Sequence, residues 1–242
     1  MAIGAIDAQF ARPTAARAIT TLVTGGVSEG VYRSANLSHT VGDDPEHVAE
    51  NRRLLSAHYG WRSEPVWLTQ VHGTAVWCAP ESINTTADAS VTTDPHAVLA
   101  VLTADCLPVV LVSPCGQRRG IAHAGWRGLA AGVIENTVVQ LRARGATELL
   151  AWLGPCIGPQ SFEVGAEVLD AFARRNPDFA VAFRPGVDGR YWADLQQLAR
   201  MVLSPMGIAV TGCSADTLTD PRLYSFRRQN PTGRMATVVW LP

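Results

Sequence analysis

The sequence predicts one domain of α/β or α+β class, and two observations carry that expectation. Short apolar runs alternate with helical patterns along the chain. No repeat, low-complexity linker or block of like charge divides the 242 residues, a length that single α/β domains commonly reach. With 47% hydrophobic residues, the chain has the means to build a large core.

The elements follow in order. Residues 18–24, AITTLVT, read as a strand, and GGVSEG as the turn after it. In DDPEHVAENRRLLSAHYG, Asp44 is the N-cap and Pro45 stands at the first helical position. Val48, Leu54 and Leu55 form an apolar stripe, and Gly60 ends the helix. PVWLTQVHG is a strand leading to His72. AVLAVLTADCLPVVLVSP holds two strand segments broken around Asp105 and Pro108, since proline cannot donate to a ladder. RRGIAHAG is another strand, and after GWRG a helix runs from about Leu129 to Arg144. ELLAWLGP reads as a strand, FEVGAEVLDAFARR and ADLQQLARMVL as helices, and GRMATVVWL as the closing strand.

Composition excludes several functions. The net charge of -1 supplies no bulk field for nucleic acid or an anionic membrane, so neither is expected as a partner. All 20 basic residues are Arg; the absence of Lys rules out lysine Schiff-base chemistry and a Walker A loop. Five cysteines, an odd number with no CxxC pair, point to a reducing compartment without a disulfide framework. No charged segment followed by an apolar one marks a signal peptide, and no apolar run reaches membrane-spanning length, so a cytoplasmic protein is expected.

Chemistry concentrates in TQVHGTAV, TADCLPVV and IAHAGWRG, which put His72, Cys106 and His123 near strand ends. Two imidazoles and a thiolate suit a zinc ion with its fourth position open. Singly, each has a plainer reading: a hydrogen-bonded loop histidine for His72, a buried structural thiol for Cys106. Asp105 beside Cys106 is costly in an apolar run unless paired or ligating. It is the candidate proton shuttle, or else it orients a ligand or caps the bend. YSFRRQNPTGR offers Ser225, Arg227, Arg228 and Arg234. If the segment is extended, one of Arg227 and Arg228 faces a pocket. Arg127 lies where a helix start favours anions. Arg234 reads equally as a surface arginine. Cys156, in LGPCIGPQSFEVG, is read as structural.

These segments resemble the laccase-domain family, also called the multicopper polyphenol oxidase or purine nucleoside phosphorylase (YfiH-like) family. TGGVSEGVYRSANLSHTVGDDPEHVAENRRLL, PVWLTQVHG, TADCLPVV, AHAGWRGLAAGV, WLGPCIGPQSFEVG, and YSFRR with TGRMA carry the likeness from about residue 20 onward. The resemblance implies a single-domain layered α/β sandwich with a mixed β-sheet, residues 1–17 being an N-terminal extension of poor order. It implies metal ligation by His72, Cys106 and His123, and phosphorolysis of adenosine, inosine and S-methyl-5′-thioadenosine, with adenosine deamination besides. Ser225, Arg127 and either Arg227 or Arg228 would then hold substrate or phosphate. Similar chains often read Thr-Arg-x-Gly-Gly where this one has Leu22, Val23, Thr24, Gly25 and Gly26, so any contact made by that arginine is in doubt. Ser38 replaces a glycine usual after Asn-Leu, and Cys213 is offset from a cysteine relatives carry near Ala215.

Zinc is the expected metal, with copper possible in vitro. The six histidines fall short of the roughly ten a four-copper oxidase needs. Three other readings stand beside phosphorolysis: a copper-binding polyphenol oxidase, a cysteine amidohydrolase or cell-wall peptide editing factor using Cys106 and His123, and a non-enzymatic metal-stabilised binding module. The chain is expected as a monomer or homodimer.

Overall fold

Two β-sheets packed face to face, each covered on its outer side by helices, organise the chain. The structure, a computed structural model, describes residues 3–79 and 85–242. The first strands are β1 (Ala5–Asp7), β2 (Arg17–Thr21), β3 (Val76–Cys78), β4 (Ala89–Thr92), β5 (Leu99–Thr103) and β6 (Leu107–Val112). Then come β7 (Arg119–Ala124), β8 (Leu150–Leu153), β9 (Glu163–Val164), β10 (Phe183–Pro185), β11 (Tyr191–Ala193), β12 (Ala209–Gly212) and β13 (Met235–Trp240). The helices are α1 (Pro45–Tyr59), α2 (Trp126–Ala131), α3 (Val133–Ala143), α4 (Ala166–Ala173) and α5 (Leu195–Leu203).

One sheet has the order β1-β2-β13-β5 and is antiparallel throughout. The other, β12-β8-β6-β7-β4-β3, is mixed: its two edge pairs are parallel and the rest antiparallel. A small sheet, β10-β11-β9, stands apart. Side-chain alternation explains the layering. Leu99 and Val101 of β5, Val110 and Val112 of β6, and Leu150 and Trp152 of β8 share the core between the two large sheets. Their neighbours Val109, Leu111, Ala151 and Leu153 pack on the opposite face against α3 and α5. Ala100, Ala236 and Val238 turn outward to Leu54 and Leu55 of α1. Strands buried on both faces read as unbroken apolar runs, as β6 does.

The α1 signals act as expected. The Asp44 carboxylate accepts from Glu46 N at 2.8 Å, and Gly60 adopts the left-handed conformation that closes the helix.

Elsewhere the structure corrects the expectations. Residues 3–16 are held rather than loose: β1 pairs with β2, and Ala8 N donates to Ala18 O. Residues 65–71 form only two isolated bridges instead of a strand. The Gln70 side chain takes the ladder's place, donating to Leu102 O at 2.9 Å and accepting from Leu102 N at 2.7 Å. Pro108 lies within β6, not at the break. Its carbonyl accepts from Gly154 N at the end of the β6–β8 ladder, where a missing N–H interrupts no interior rung. The helix after GWRG starts earlier, at Trp126, and is interrupted by Gly132 at φ 101°. Glu163–Val164, expected as helix, is strand β9. No helix among the described residues is long and apolar enough to cross a membrane.

Candidate active site

The chain crosses from one large sheet to the other between β5 and β6, and Ala104, Asp105 and Cys106 make the crossing. Asp105 turns there with φ 94°. Cys106 therefore stands where the two sheets part, immediately before β6. His123 is the fifth residue of β7, opposite Pro108 in the adjoining strand. His72 follows the extended 65–71 segment and is itself left-handed, with φ 61°. The three ligand atoms lie within 4.8 Å of one another. Cys106 Sγ is 4.0 Å from His72 Nε2, and the imidazole rings meet edge to face at 4.8 Å. His72 is exposed, Cys106 half-buried and His123 buried.

Asp88, which sequence reasoning missed, organises this group. It precedes β4 and is fully buried. Oδ1 meets His123 Nδ1 at 2.8 Å and accepts from His72 N at 2.9 Å. Oδ2 accepts from Gly73 N at 2.7 Å and Val71 N at 3.1 Å. One carboxylate thus holds the left-handed turn carrying His72 and directs His123 Nε2 toward the sulfur. The signal was the one that drew attention to Asp105: a carboxylate in an apolar strand context, here ADASV.

Without a metal bound, the group pairs a thiolate with an imidazolium, and ligation would displace the imidazolium proton. Burial would raise the Cys106 thiol, but the His123 and His72 imidazoles outweigh it and bring it down to about 6. Burial would lower His123, yet the Cys106 sulfur and the Asp88 carboxylate raise it to about 9. Hydrogen bonds from His123 and the backbone overcome burial and hold Asp88 below the usual carboxylate range. Room is provided by Gly125: a Cβ there would come 3.0 Å from Cys106 Sγ and 3.1 Å from His72 Cδ2. Two nitrogens, a thiolate, an oriented imidazole and a space kept clear by glycine fit a borderline-soft divalent ion. Among the described residues this is the one group of three or more such side chains.

The cluster opens into a cavity of about 680 Å³, large enough for a small organic ligand. Arg52, Arg127, Arg227 and Arg234 line it against a single lining carboxylate, Asp105. Trp126, Phe162 and Phe226 supply aromatic surface.

The expected site residues sort clearly. Asp105 reaches the wall with both oxygens engaged, by Thr217 Oγ1 at 2.6 Å and Arg227 N at 2.7 Å. Arg227 lines the cavity, while its Nη1 donates to Glu163 O at 3.1 Å. Arg127 lines it with its guanidinium 4.4 Å over the Trp126 ring. Arg228 does not line it, against expectation: it is spent on the carbonyls of Thr217, Leu218, Asp220 and Leu223. Ser225, also expected at the ligand, is buried and caps the turn, its Oγ accepting from Arg228 N at 3.1 Å. The segment is a turn rather than a strand, so β alternation is not what separates Arg227 from Arg228. Val23 packs beside Ala104, Leu223 and Tyr224, away from the cavity lining. Cys156 is buried, and burial pushes its thiol far up, in keeping with a structural role. Arg52 and Asp88 are among the site residues that sequence reasoning did not find.

A four-layer α/β sandwich with a His–Cys–His group at the crossing between its sheets defines the class: a laccase-domain protein. The family described as multi-copper polyphenol oxidoreductase laccase matches residues 17–242, and the chain belongs to that family. It is 47% identical to a purine nucleoside phosphorylase of Pseudomonas aeruginosa, over 95% of each chain. It is 44% identical to the purine nucleoside phosphorylase YfiH of Escherichia coli, over 96% of this chain and 97% of that one. A crystal structure of a Neisseria meningitidis protein superposes with a TM-score of 0.92 at 40% identity, covering 98% of this chain and 99% of that one.

Proposed function

We propose that this chain is a purine nucleoside phosphorylase. It would convert adenosine, inosine or S-methyl-5′-thioadenosine and phosphate to the free base and the corresponding sugar 1-phosphate. The observation that carries the reading is the cavity, whose arginine-rich, partly aromatic wall opens onto His72, Cys106 and His123. The names of the relatives at 47% and 44% identity agree with it.

In the reaction a phosphate oxygen bonds to C1′ while the C1′–N9 pair leaves with the purine, which takes up a proton. Positive charge gathers on the sugar and negative charge on the base. Arginine side chains in a partly desolvated wall bind and orient the phosphate. Trp126, Phe162 and Phe226 offer surfaces on which a purine stacks. Asp105, held by Thr217 and Arg227, keeps the crossover and the Arg227 loop in register. His72, Cys106 and His123 would hold zinc, which supplies Lewis acidity at the cavity floor; copper would also suit these donors in vitro. Adenosine deamination is proposed as a second reaction of the same cavity, with Asp105 handling the proton.

The test is chromatography of nucleosides incubated with purified protein, with and without phosphate, alongside metal analysis. Phosphate-dependent release of base with sugar 1-phosphate is expected, and inosine appearing from adenosine would report deamination. His72→Ala and Cys106→Ala should lose both metal and turnover. Base release indifferent to phosphate, or full phosphorolysis by a metal-free variant, would sink the reading.

One observation favours a cysteine amidohydrolase instead: Asp88, His123 and Cys106 follow one another as orienter, base and lowered-pKa thiol. Iodoacetamide separates the two. A ligating sulfur is protected until the metal is chelated; a free nucleophile reacts either way.

A further inference from the structure

We propose that the co-substrate phosphate is held by Arg52 and Arg234, with the hydroxyls of Ser38 and Thr40 beside them, rather than by Arg227 and Arg228. This assignment rests on the phosphorolysis reading. All four cradle residues line the cavity.

Arg52 and Arg234 are half-buried cations that make no salt bridge among the described residues; Glu64 acts on Arg52, and Asp105 on Arg234, only from beyond contact distance. Arg52 stacks 4.0 Å over Trp67 and gives Nε and Nη2 to the Leu37 carbonyl, which leaves Nη1. Arg234 gives Nη1 to the carbonyls of Thr232 and Gly233, which leaves Nε and Nη2. A guanidinium drawn out of water without a counter-ion is costly, and an anion in the cavity relieves it. Burial lowers both groups, Arg52 to about 10, while Cys106 and Asp105 act on Arg234 in the opposite sense and mark it as close to the metal group.

The two arginines share one anchor. Arg52 binds the Leu37 carbonyl, and Leu37 N donates to the Arg234 carbonyl at 3.2 Å. Asn36 Oδ1 accepts from both Arg234 N at 2.9 Å and Ser38 N at 3.1 Å. Ser38 Oγ lies 3.1 Å from Thr40 Oγ1. A third hydroxyl supports the same wall: Thr103 is buried, lines the cavity beside the Arg234 segment, and its Oγ1 has no hydrogen-bond partner among the described residues. Two cations and this set of hydroxyls match a phosphate dianion in charge and in donors.

The other arginines are poorer candidates. Arg228 is occupied by backbone carbonyls outside the lining. Arg227 is committed in part to Glu163 O. Arg127 is exposed, so water already solvates its charge.

The experiment measures KM for phosphate and for inosine separately in the metal-loaded enzyme and in Arg52→Gln, Arg234→Gln and Arg234→Lys. It is paired with calorimetric titration of inorganic phosphate into each protein and with AMP as an alternative ligand. We expect phosphate KM to rise at least about tenfold in both Gln variants, inosine KM to stay within about threefold, metal content to hold, and Arg234→Lys to recover part of the loss. Unchanged phosphate KM with normal turnover would overturn the subsite while leaving phosphorolysis intact. No turnover of any nucleoside, but phosphate binding that Arg234→Gln abolishes, would overturn phosphorolysis and keep an anion site. AMP binding that depends on Arg234 while phosphate KM does not would assign the cradle to a 5′-phosphate and overturn the co-substrate assignment.

Discussion

Asp88 shows how much of this site depends on a residue outside the cavity lining. Its carboxylate fixes the His123 tautomer and the turn that presents His72, so Asp88→Asn should weaken metal binding by about 10- to 100-fold in chelator competition, with the fold retained. Asp88→Ala should in addition destabilise by about 2 kcal/mol or more in denaturant titration, since three backbone N–H groups lose their acceptor. Cys106 carries a pH prediction. Its lowered pKa means the thiolate of metal-free protein persists at neutral pH and is lost only as pH falls through about 6. Iodoacetamide labelling of Cys106, read by peptide mapping, should therefore stay fast at pH 7, far below the range where an ordinary cysteine slows. Cys156 should stay unlabelled in folded protein. His72, Cys106 and His123, which the structure brings together, were legible in the sequence because each stood in or beside an apolar run next to turn chemistry. Asp88 and Arg52 were not singled out, because a lone carboxylate or arginine declares its role only through its neighbours.

At the scale of elements, the site depends on how strands end. The β5–β6 crossing and the start of α2 meet because antiparallel β6 and β7 put the start of one strand beside the end of the other, and the left-handed turn after residues 65–71 is brought to them by Asp88. Gly125, just before α2, leaves the space that the metal group needs. Gly125→Ala should lower metal affinity with little change in far-UV circular dichroism, because its Cβ would press on Cys106 and His72 rather than on the core. Gly132 divides α2 from α3 at φ 101°, a conformation that disfavours side chains, so Gly132→Ala should destabilise by about 1–2 kcal/mol in thermal or denaturant unfolding. The α1 boundaries were readable because Asp44, Pro45 and Gly60 act locally. The 65–71 segment was misread as a strand because apolar alternation cannot reveal that a Gln70 side chain replaces the ladder.

For the molecule as a whole, the two-sheet sandwich carries its own core, and the metal group lies at its edge. Chelation should therefore abolish turnover while far-UV circular dichroism is kept and the melting temperature falls by only a few degrees. A chain that unfolds on chelation would make the metal structural instead. The sequence by itself determined the α/β class, the capped ends of α1 and most of the central strands, and it singled out His72, Cys106 and His123, because caps and periodicity act over a few residues. Only the tertiary structure decided that β5 and β6 belong to different sheets, that Asp88 reaches both histidines, and that Arg52 and Arg234 share the cavity wall while Arg228 does not. Those relations join residues tens to nearly two hundred positions apart, and the packing of layers, not local preference, brings them together.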